Sequence, residues 1–190
     1  MNDQTVEPKD NGKYDKNIYL VVSQSGSIVS RILKKVTRAP YNHVSISLNR
    51  ELKPMYSFAR VRPYNPVIGG YVAESAGKGT LKRFPDTKVI VLEVKVTEKQ
   101  FNSIKHKLRM MLKYKKRYRY NYLGLFLAAI NIPYKMDHRY YCSEFVREVL
   151  VDHRVDGYTE LDTVMRPIYF LNYPHAKVIY HGKLNDYKSA

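Results

Sequence analysis

The chain is poor in the residues that build covalent or metal scaffolds. Cys142 is its one cysteine among 190 residues. A single thiol excludes an internal disulfide and any CxxC zinc or redox site. It points to a reducing, cytoplasmic setting. Tryptophan is absent, and 17 acidic residues face 33 lysines and arginines, a net charge of +16. A membrane-spanning helix needs roughly 20 apolar residues, and the longest apolar run here is LGLFLAAI at 123–130. The opening MNDQTVEPKDNGKYDKN lacks the apolar core of a secretory signal, so none is expected. The six histidines show no HExxH-type spacing, and no metal or cofactor is expected.

What is abundant is basic charge and tyrosine, with 18 tyrosines in the chain. The two are densest together in KYKKRYRYNY at 113–122. Basic charge with interleaved aromatics suits an anionic partner: nucleic acid, an anionic membrane surface or an acidic substrate. No RNP-like, zinc-finger or GXXG pattern accompanies it, so no specific nucleic acid is expected.

Residues 1–16 read as a disordered leader and 17–185 as a single domain. NIYLVVSQ is rich in β-branched and aromatic residues and reads as a first strand. Ser27 is placed to cap a helix over IVSRILKKV. HVSISL alternates Val44, Ile46 and Leu48 against His43, Ser45 and Ser47, the pattern of a half-buried strand. MYSFARV supplies its hairpin partner, and RPYNPVIGG, with two prolines and two glycines, reads as a loop. YVAESA and KVIVLEVKV add strands, and AKVIYHGKL a late one. Thr97 and Gln100 form a capping box ahead of a stripe of Phe101, Ile104, Leu108, Met111 and Leu112. Further helices are expected over YLGLFLAAI and from Cys142 onward. Strands followed by helices indicate an α+β domain.

Cys142 opens a run with helical spacing, CSEFVREVL. A helix start offers free N–H groups and the positive dipole end, which favour a thiolate and hence a nucleophile of lowered pKa. Cys142, Phe145 and Val149 also share one helical face, so core packing explains the position nearly as well. His43 is the histidine best placed to act as base, at the start of a strand. Glu74, on a following strand, is a candidate to orient it, through sheet neighbours that bring the two side chains together. Arg60 and Arg62 lie in SFARVRPYNPVIGG, expected as a substrate-facing loop whose guanidiniums suit a carboxylate or phosphate.

Taken in order, YNHVSISL, YVAESAGKG, YNYLGLF and YYCSEFVREVL resemble the circularly permuted branch of the NlpC-type papain-like hydrolases, the YiiX-like proteins. This branch is related to the LRAT-like acyltransferases. The resemblance covers residues 17–152 and is most specific at CSEFV. It implies a papain-like core, permuted, with an antiparallel sheet packed against helices. It also implies Cys142 as nucleophile, His43 as base and Glu74 as the acidic residue, with Tyr120 or Tyr122 near the thiol. The implied activity is a cysteine hydrolase cutting an amide or ester bond, in a peptide or an acylated small molecule. Two other functions fit the composition: a lipid-directed acyltransferase or hydrolase in peripheral contact with an anionic membrane, and a non-catalytic nucleic-acid-binding module.

Overall fold

The computed structural model describes residues 14–24, 40–62, 65–76 and 84–188. The expected helix over IVSRILKKV and most of the leader lie outside them. Eight strands form one sheet in the order β7-β6-β4-β3-β2-β1-β5-β8. The strands are β1 (Lys16–Gln24), β2 (His43–Ser47), β3 (Met55–Arg62), β4 (Asn65–Glu74), β5 (Lys88–Val96), β6 (Arg119–Tyr120), β7 (Arg139–Tyr140) and β8 (Ala176–Lys183). Every pairing is antiparallel except β6 with β7. Among the described residues there are three α-helices: α1 (Glu98–Lys113), α2 (Tyr122–Ala129) and α3 (Cys142–Asp152). The fold is mixed α+β, as the order of patterns in the sequence implies.

Several boundaries follow from local chemistry. Thr97 caps α1 through its hydroxyl and Gln100 returns the bond, the reciprocal pair the sequence suggests. Ile104, Leu108 and Met111 then bury the α1 stripe against the sheet. Asn121 caps α2 by accepting the Gly124 N–H at 2.8 Å. On α3, Phe145 meets Phe58 of β3 and Tyr71 of β4 with ring centroids 5.3 and 5.5 Å apart. The first pair is tilted and the second edge-on, and aromatic contacts of this kind add to the burial of the rings themselves. They fix α3 across β2 and β3, with Val44, Ile46 and Val149 in the same core.

Two expectations are corrected. The β2 strand is buried on both faces rather than half-buried, because a second apolar cluster of Tyr19, Val21, Leu52, Met55 and Leu184 covers the side away from the helices. Ser47 tolerates that burial by donating toward the Asn49 and Pro54 carbonyls. The RPYNPVIGG stretch is not a loop: all but residues 63 and 64 continue as strand, pairing β3 through Arg62↔Asn65 and Arg60↔Gly69. Its glycines serve close approach. A Cβ on Gly69 would lie 2.7 Å from Tyr120 Cβ, and one on Gly70 2.9 Å from the Tyr118 carbonyl. Strand β1 starts at Lys16, and the Tyr14 hydroxyl bonds the Asp156 carboxylate.

Candidate active site

Cys142 occupies the first turn of α3 and is buried. Its sulfur receives hydrogen bonds from backbone at Val44, Ser143 and its own residue. Val44 directly follows His43, so the fold brings the helix start to the strand start that carries the histidine. The Tyr120 hydroxyl also hydrogen-bonds with the Cys142 side chain. Cys142, Tyr120 and the His43–Val44 peptide, 99 residues apart in sequence at their widest (142 minus 43), thus converge at one point.

The thiol faces a narrow, almost wholly apolar cavity of about 40 Å³, walled by Tyr41, Asn42, Leu125, Ala129, Met165 and Arg166. That is room for no more than a few waters. The wall is fastened to α3 by Ser143, whose hydroxyl donates to the Met165 carbonyl at 2.7 Å. Arg166 donates through one terminal nitrogen to the Ala129 carbonyl at 3.0 Å. Its buried Nε has no hydrogen-bond partner among the described residues.

The electrostatics differ from what a helix start by itself suggests. Burial pushes the Cys142 thiol up to about 11, outweighing the backbone N–H groups that pull it down. Burial also draws the His43 imidazole down to about 4. Both groups are therefore neutral near pH 7, and the expected lowered thiol is replaced by a protonated one. Tyr120 is held well above its ordinary value, first by burial and then by the neighbouring thiol.

The remaining expected residues fall in three places. The Tyr122 ring lies 4.6 Å from that of Tyr120, and its hydroxyl reaches the spot where a Gly69 side chain would sit. Arg60 sits opposite Gly69, its guanidinium 5.6 Å from the Phe84 ring; burial raises the Tyr122 hydroxyl, and the Arg60 charge partly opposes that rise. Arg62 closes β3, and its side chain lies outside the described residues. Glu74 is not brought to His43. Strand β3 intervenes, and the register runs Glu74↔Met55↔Ser47, the far end of β2 from His43. Four residues along and two strands across amount to roughly 16 Å between Cα atoms. Glu74 instead lines a broad groove of about 620 Å³ with Arg60, Lys115, Lys116 and Arg119. The residue opposite His43 in the ladder is Ser23, which is buried.

Two buried polar residues behind the thiol carry no expectation from sequence. Glu144 accepts the Tyr141 N–H at 3.3 Å and the Asn121 side-chain amide at 3.5 Å. Asn121 also reaches the Tyr134 carbonyl at 3.2 Å, tying α2 to α3 and to the segment between them. An Asn placed just before an apolar run is a cap signal, and it offered a way to find this one. Among the described residues no cluster of His, Cys, Asp or Glu could hold a metal ion. Comparison with protein-family models, curated proteins and solved structures gives no match for the chain.

Proposed function

We propose that the protein is a cysteine hydrolase of amide or ester bonds, working through an acyl-enzyme on Cys142. The observation that carries this reading is the thiol itself. It stands at a helix start against an apolar cavity, with Tyr120 and the peptide following His43 directed at the sulfur. A buried cysteine serving only as packing needs none of those polar neighbours.

In the proposed reaction the neutral His43 imidazole takes the thiol proton as sulfur bonds to the substrate carbonyl carbon. The carbonyl electron pair moves to oxygen, where backbone N–H groups at the α3 start stabilise the anion. Collapse breaks the C–N or C–O bond, and the leaving group takes the proton from the imidazolium. Water, deprotonated by His43, then attacks the thioester; the acid departs and the thiol is reprotonated. Loss of the helix-start donors and Tyr120 from the resting thiol accompanies the attack. In this reading the sheet and helices form a permuted papain-like core, supported by the chain order of His43 before Cys142 and the packing of α3 on β2.

The test is incubation with activated esters, peptide amides and N-acyl amino acids, with intact mass recorded at short times. The expected result is an acyl adduct on the wild type, absent in Cys142→Ala and strongly slowed in His43→Ala. Turnover that survives Cys142→Ala would overturn the assignment.

A further inference from the structure

We propose that the face formed by α2 and the segment after it docks the protein on an anionic lipid bilayer. Helix α2 is apolar all round, yet only one side of it is covered. Ala128, with Leu125, packs on Tyr141 and Val164. The other side leaves Leu123, Phe126 and Ile130 exposed by 52, 62 and 65%. Their spacing of three and then four residues places them along one face of the helix.

The following segment widens this face. Asn131 takes a left-handed conformation and the Ile132 N–H bonds back to the Leu127 carbonyl. The Tyr134 carbonyl then accepts from Asn121 at the start of α2, so residues 130–134 run back along the helix. Ile132, Tyr134 and Met136 are exposed along that return path. Large apolar side chains gathered in solvent mark a surface built to meet something.

Charge says what that something is. Between residues 113 and 139 there are seven lysines and arginines, at 113, 115, 116, 117, 119, 135 and 139, against one acid, Asp137. All seven are exposed. An exposed apolar segment bordered along the chain by exposed cations on both sides has the chemistry of interfacial anchoring to anionic headgroups. A second copy fits poorly, because it would press two such basic margins together. Nucleic acid fits poorly too, since four of the six exposed side chains, Leu123, Ile130, Ile132 and Met136, carry no ring for a base to stack on, against Phe126 and Tyr134.

The placement bears on the thiol but does not depend on its chemistry. Leu125, Ala128 and Ala129 of α2 wall the Cys142 cavity. One side of the helix therefore borders the cavity while the other would lie in the headgroup region.

The experiment uses the full chain and vesicles of phosphatidylcholine with or without phosphatidylglycerol. The chain has no tryptophan, so Phe126→Trp gives a single-site emission signal. Expected are cosedimentation with the anionic vesicles, a blue shift of that emission, and quenching by brominated acyl chains. Phe126→Ser with Ile130→Ser should lower partitioning tenfold or more while the circular dichroism spectrum stays unchanged. Cys142→Ala should bind as the wild type does, which separates docking from the proposed hydrolysis. Equal partitioning of the serine variant would overturn the proposal. So would self-association, or nucleic-acid binding, that produces the same emission shift without vesicles.

Discussion

At the scale of single residues, desolvation governs the surroundings of Cys142 and His43. Burial lifts the Cys142 thiol to about 11, above its ordinary 9.0. A folded value above the unfolded one means this thiol's contribution to stability is intact below pH 9 and lost as pH rises through 11. Iodoacetamide labelling of the native protein should therefore keep accelerating past pH 9, levelling only near 11, whereas the denatured chain levels earlier. A native plateau below pH 8 would show that the N–H donors dominate after all. Glu144 follows the same logic. Burial raises its carboxyl from 4.5 to about 7, so its share of stability is complete below pH 4.5 and lost as pH climbs through 7. Glutamine keeps an oxygen for the Tyr141 N–H and cannot ionise. We expect Glu144→Gln to be more stable than wild type at pH 8 by about 1–3 kcal/mol and equal to it near pH 4, read from urea midpoints. Cys142 and His43 were legible in the sequence as chemical types at element starts. Their titration was not, because it depends on which atoms surround them.

Elements carry the sequence signal where one helix or strand contains the whole pattern. The α1 stripe and its capping box are local, and both are present as spelled. The KVIVLEVKV strand is recovered residue for residue as β5. Only the second half of β4 was legible, within YVAESA, because the proline and two glycines of its first half carry a loop signature. The glycines answer instead to β6, 50 residues further on, which crosses where side chains would be. Gly69→Ala should force Tyr120 aside and lower stability by about 1–3 kcal/mol, the usual cost of overpacking. The same shift should change the iodoacetamide labelling rate of Cys142, since Tyr120 bonds the thiol. An unchanged melting temperature and labelling rate would mean that Tyr120 yields freely.

Across the whole molecule, the sheet order decides which candidates can meet. Composition and periodicity by themselves determined an α+β chain, strongly basic, with a thiol at a helix start and a histidine at a strand start. Those properties reside in short segments, where side-chain period and backbone preference act over a few residues. Only the tertiary structure decided that β3 separates Glu74 from His43, that both faces of β2 are covered, and that Val44 and Tyr120 reach the sulfur. It also decided that α2 turns one apolar side inward and leaves the other bare. Strand order and the sharing of a helix between two environments are settled by contacts between distant segments. No local window of sequence contains both partners of such a contact.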